Sequence, residues 1–68
     1  MNKIDKRQAD YDELFTINEV AAPWIAVSIE REPWIVTLPS GKRVQLVLPL
    51  GAAVEIEEAG HKIEAGLI

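Results

Sequence analysis

The stretch PWIAVSIEREPWIVTLPSGKRVQLVLP, residues 23–49, contains Pro-Trp-Ile twice, ten residues apart, and its reading decides the fold. From Trp24 onward apolar residues alternate. Ile25, Val27 and Ile29 fall on one face and Trp24, Ala26, Ser28 and Glu30 on the other, which is the pattern of a half-buried strand over 24–30. Glu-Arg-Glu-Pro at 30–33 supplies a turn. A second strand over 34–38 then places Trp34, Val36 and Leu38 on one face and Ile35 and Thr37 on the other. Pro39-Ser40-Gly41 suits a type I turn closed by a left-handed glycine, a common three-residue hairpin loop. That loop sets Leu38 opposite Lys42, Val36 opposite Val44 and Trp34 opposite Leu46, so apolar residues of both strands meet on one face of the hairpin. The expectation is a three-stranded antiparallel meander with strands at 24–30, 34–38 and 42–48.

Working outward, the segment 1–22 reads as helical. Ile4, Tyr11, Leu14 and Phe15 share a rough stripe within residues 3–15, and Thr16 with Glu19 has the spacing of a capping box, which would start a second helical turn over 17–22. Pro23 is expected to end it, since proline lacks an amide donor and disfavours helical geometry in the residue before it. On the other side, Leu48-Pro49-Leu50-Gly51 stops the third strand. The remainder, 50–68, has two readings. Ala52, Ile56, Ala59, Ile63 and Leu67 follow helical spacing, whereas Val54 and Ile56 alternate with Glu55 and Glu57 as in a strand, with Ala59-Gly60-His61 as a turn. The count favours the helix, at a cost of about 1 kcal/mol for Gly60 relative to alanine. The sum is an α+β fold in one small domain spanning 1–68.

A chain of 68 residues buries only about 60% of the surface it exposes when unfolded. With no cysteine and a single histidine, His61, neither a disulfide nor a zinc site can supplement that core, and self-association is the common remaining source of burial. Residues are 49% hydrophobic without a run long enough to span a bilayer, which reads as soluble and globular. The N-terminal MNKIDKRQADYDEL is charged throughout and has no signal-peptide stretch, so a cytoplasmic location is expected. The net charge is -4, with Glu55, Glu57, Glu58 and Glu64 against Lys62 near the C-terminus and a small basic group, Arg31, Lys42 and Arg43, in the middle. Such a balance argues against non-specific nucleic-acid binding, which needs several cations facing phosphates.

Catalytic signatures are missing. Asp10, Asp12 and Glu13 lie on a helix where Asp10 and Asp12 do not share a face, so they read as solvated charges and not as a metal site. Ser28 and Ser40 have no general base nearby in sequence, and the glycines form no phosphate-cradling loop. The expectation is a protein without catalytic residues, metal or cofactor.

One tryptophan is left over by the alternation. Trp34 belongs to the core face, while Trp24 shares the opposite face with Ala26 and, from neighbouring strands, Ile35 and Val47. A second apolar patch on so small a sheet must be covered by the N-terminal helix, by a second copy, or by a partner protein. Trp24, Ala26, Ile35 and Val47 are therefore the expected partner-binding residues, and Arg31, Lys42 and Arg43 the candidate contacts to DNA or an acidic partner.

Residues 36–63, VTLPSGKRVQLVLPLGAAVEIEEAGHKI, resemble the AbrB/MazE-like swapped-hairpin family of transition-state regulators and antitoxins. The matching positions are Val36-Thr37-Leu38-Pro39, Arg43, Leu46, Leu48, Gly51, Val54-Glu55-Ile56-Glu57 and Lys62-Ile63. This resemblance implies an intertwined homodimer that binds operator DNA through basic residues, Arg43 being the position carried over, with Arg31 and Lys42 nearby. The chain departs from the family at Ser40-Gly41-Lys42, where the family has a helix, and at Trp34-Ile35, where it has a small residue. Val36 to Leu38, Gly41, Val44, Leu46, Gly51, Val54 and Ala59 also resemble the opening of a TGS-type beta-grasp domain. Two families of different fold share this strand-turn-strand phrase, which marks the hairpin and leaves function open. The sequence thus favours a small non-enzymatic protein–protein interaction module, homodimeric, using the Trp24 face or the open edge of the meander. The alternative is a dimeric DNA-binding regulator or antitoxin.

Overall fold

The computed structural model describes residues 6–68. Five elements follow in order: α1 (Lys6–Val27), β1 (Glu32–Thr37), β2 (Arg43–Leu48), α2 (Leu50–Glu58) and β3 (Lys62–Ala65). The three strands form one antiparallel sheet in the order β2-β1-β3, so the chain leaves β2, crosses in α2, and returns on the far side of β1. This is an α+β arrangement with two helices and three strands.

The hairpin follows turn chemistry as expected. Val36 lies opposite Val44 and Trp34 opposite Leu46. Leu38 N–H donates to the Lys42 carbonyl at 2.7 Å, Gly41 N–H donates to the Leu38 carbonyl at 2.8 Å, and Gly41 has φ +95°. That backbone conformation is open to glycine and costly for other residues, so the register is fixed at this position.

The segment 24–30 is not a strand. Helix α1 runs through Pro23 to Val27, and residues 28–31 are a connection. Ile17 and Ala21 are fully buried and Leu14 and Ile25 pack beside them, a stripe at spacings of three and four that continues across the proline. Tertiary packing of that stripe outweighs both the local alternation of Ile25, Val27 and Ile29 and the hydrogen bond that Pro23 cannot donate. The expected break at Thr16 is likewise absent. Its hydroxyl donates to the Asp12 carbonyl one turn back, at 3.0 Å, as a hydroxyl inside a helix does. Ile4, the first residue of the expected stripe, lies outside the described residues.

The third strand of the sheet comes instead from the C-terminal segment, where each of the two readings holds for one half. Ala52, Ala53 and Ile56 are buried on α2. After the helix, Gly60 N–H donates to Glu57 O at 2.9 Å and His61 N–H donates to Ile56 O at 3.3 Å, with Gly60 at φ +101°. This pair of bonds is the Schellman closure, so Gly60 terminates the helix instead of weakening its interior. Residues 62–65 then pair with β1, Ile63 opposite Val36.

Both helices cover one face of the sheet. The buried core joins Ile17 and Ala21 of α1, Val36, Leu38 and Leu48 from the hairpin strands and their ends, and Ala52 and Ile56 of α2. On the opposite face Ile35 is only 4% exposed, because the last residues fold over it. Gly66 N–H donates to the Pro33 carbonyl at 3.2 Å, and a Cβ at Gly66 would touch Ile35. The Gln45 amide donates to Trp34 O and Gly66 O, each at 2.9 Å, and accepts from Ile68 N–H at 2.9 Å. Among the described residues no helix is long and apolar enough to cross a membrane.

Candidate functional site

Because α1 continues through Pro23, Trp24 is a helical residue facing α2. The six-membered ring of its indole lies against Gly51 at the start of that helix, so close that a methyl group there would overlap it. The indole N–H donates to Glu55 Oε1 at 2.7 Å, one turn further along α2. This ring contact and the charge-assisted hydrogen bond link α1 to α2 at the edge of the core. The rest of Trp24 faces solvent.

Around it lies an apolar surface centred on Leu50, which is 58% exposed. Three adjoining grooves meet at this side chain. One lies along Trp24, Gly51 and Val54, a second along Trp24, Val27 and Pro49, and a third along Val54, Ala53 and Ile63. Leu50 and Val54 are one helical turn apart on the side of α2 turned away from the core residues Ala52 and Ile56, and Val27, 81% exposed, extends the patch onto α1.

Of the expected partner-binding residues, then, Trp24 alone belongs to this patch. Ala26, two residues on along the helix, points elsewhere and is exposed. Ile35 is covered by the C-terminal residues, and Val47 is exposed on the outer face of the sheet beside Pro33. Trp24 and Ala26 leave the sheet because 24–27 is helical and 28–30 is a connection, whereas Ile35 and Val47 remain on its outer face. Leu50, Val54 and Val27 were missed, although a signal was present. Once α2 buries Ala52 and Ile56, Leu50 and Val54 form an apolar pair at i and i+4 that the core stripe does not use.

A second exposed apolar flank occurs on α1. Tyr11 and Phe15, one turn apart, are 67% and 66% exposed. Tyr11 lines a groove with Leu14, Leu38 and Val44, which sets Tyr11 beside β2, an outer strand of the sheet, with Phe15 one turn further along α1.

The basic candidates are not brought together. Arg31 precedes β1, whereas Lys42 and Arg43 sit at the hairpin end, a full strand length of about 20 Å away. Arg43 reaches across the outer sheet face to Glu64, with Nη2 3.4 Å from Oε2. Of the acidic residues read as solvated, Asp12 is exposed and its carboxylate accepts from Gln8 on its own helix, whereas Asp10 and Glu13 have structural roles. Asp10 accepts from Ser40 N–H at 3.0 Å and from the Ser40 hydroxyl at 2.6 Å, tying α1 to the hairpin tip. Glu13 Oε2 lies 2.5 Å from His61 Nδ1, tying α1 to the turn before β3. Ser28, whose hydroxyl donates to Glu30 O at 3.3 Å, closes the connection after α1.

No family model, curated protein or solved structure matches this chain.

Proposed function

We propose that this chain is a non-enzymatic protein–protein association module that acts as a homodimer through the open edge of β2. The observation carrying this reading is the combination of that edge, unpaired among the described residues, with exposed Tyr11 beside it and exposed Phe15 one turn further along α1. In an antiparallel ladder the hydrogen-bonding direction alternates along a strand. Since Leu38 and Lys42 form a bonded pair, Arg43, Gln45 and Val47 turn their backbone N–H and C=O away from β1, toward the edge. A six-residue strand carrying a single charged side chain is a template for pairing with another strand. Two copies related by a two-fold axis would pair β2 with β2 antiparallel, joining the sheets into one of six strands, and the aromatic flanks would close over the seam. The other edge, β3, has only four residues and is flanked by the C-terminal segment.

Amide hydrogen exchange tests the proposal. Arg43, Gln45 and Val47 amides should be protected at high protein concentration and exchange quickly on dilution, while the Val44 and Leu46 amides, bonded to β1, stay protected throughout. Fast exchange of the three outward amides at every concentration would overturn it. The DNA-binding alternative has less support, since Arg31 is remote from Lys42 and Arg43 within one copy.

A further inference from the structure

The Leu50 patch has a one-signed rim. The three grooves that meet there are bordered by Glu30 and Glu32 before and in β1, by Glu55, Glu57 and Glu58 on α2, and by Glu64 on β3. No lysine or arginine lines any of them among the described residues. Of the six carboxylates, Glu55 is held by the Trp24 indole and Glu64 by Arg43; both remain exposed. The last turn of α2 contains no basic residue, and Glu57 and Glu58 sit at the negative end of the helix dipole, an arrangement that disfavours the isolated helix. Lining charges of one sign around an apolar centre concentrate field over that centre and select the opposite sign.

We infer that the Trp24–Leu50–Val54 face docks a basic amphipathic segment of another protein, its apolar side chains entering the grooves at Leu50 and its lysines or arginines meeting the glutamate rim. This rests on the reading of the chain as an association module, but uses a different surface from the β2 edge. Charge decides between the occupants. A second copy placed on this face by a two-fold axis would bring two glutamate rims against each other. The chain's own C-terminal residues are engaged elsewhere, with Ile68 N–H on Gln45 and Gly66 N–H on Pro33. A partner helix with apolar residues at i, i+3, i+4 and i+7 flanked by Lys and Arg satisfies both the apolar centre and the rim.

The test is selection from a displayed library of random sixteen-residue peptides against the full-length protein, followed by titration of the enriched peptides. The expected binders are apolar on one side and net positive. Their affinity should drop by about tenfold or more in Glu57→Lys/Glu58→Lys, fall similarly between low and high salt, and be lost in Leu50→Ser/Val54→Ser. Circular dichroism and the β2 amide exchange pattern confirm that these variants remain folded and self-associated. Neutral or acidic binders, binders indifferent to Leu50 and Val54, or no binders from the library would each overturn the inference while leaving the β2 dimer standing. Loss of self-association in Leu50→Ser/Val54→Ser with its fold intact would make this face the contact between copies, and would overturn the inference together with the edge assignment.

Discussion

Gly51 and Trp24 make a close contact between the two helices at the margin of the core. In a helix, alanine is ordinarily favoured over glycine by about 1 kcal/mol. At position 51 the added methyl would overlap the indole ring, and such overpacking costs about 1–3 kcal/mol. Gly51→Ala should therefore destabilise the protein in urea titration and shift tryptophan emission to the red as the ring is pushed into water. In a Trp24→Ala background the same substitution should become neutral or stabilising, and a destabilisation unchanged by removing the ring would contradict the contact. Asp10 has a similar role at the other end of α1. Asp10→Ala leaves Ser40 without two hydrogen bonds at an exposed site, and should lower stability by about 1 kcal/mol while loosening the hairpin tip in amide exchange.

At the scale of elements, α1 is the finding with most consequence, because its passage through Pro23 moves Trp24 from a sheet to a helix interface. Pro23 is exposed and withholds one hydrogen bond from the Glu19 carbonyl. Pro23→Ala should raise stability by about 1–2 kcal/mol and increase helical circular dichroism; a loss of helix content would contradict the continuous α1. The hairpin was legible in the sequence because turn type and alternation gave the same register independently. Over the expected first strand a seven-residue alternation, Trp24 to Glu30, competes with a longer 3.6-residue stripe, Leu14-Ile17-Ala21-Ile25, that continues through Pro23. The longer stripe buries more surface, and it prevails. The C-terminal segment was ambiguous for a different reason: it holds a helix and a strand in succession, and Gly60 is the closing residue between them. The latches Asp10–Ser40 and Glu13–His61 join residues 30 and 48 positions apart and leave no local pattern. The Leu50 patch was hidden until α2 had defined bounds, since only then are Leu50 and Val54 surplus to the core.

The whole molecule measures 46 × 23 × 16 Å, two layers with one core between them, so the flanks of the helical layer have little to cover them. Apart from Ile29, Val47 and the C-terminal Leu67 and Ile68, the exposed large apolar side chains of the described residues form two groups of different character. Tyr11 stands beside the open edge of β2, with Phe15 one turn further along α1, and its groove has charges of both signs, which suits contact between identical copies; Trp24, Val27, Leu50 and Val54 sit within glutamates, which suits a basic partner. The division gives the two surfaces separable behaviour. The most direct measurement is the molecular mass in solution by light scattering over a range of concentration, for the native sequence and for Tyr11→Ser/Phe15→Ser. The expected result is a dimer that dissociates on dilution and a double variant that is folded but monomeric at concentrations where the native chain is dimeric. A native chain that stays monomeric at every concentration, or a folded Tyr11→Ser/Phe15→Ser variant that dimerises as well as the native chain, would contradict it.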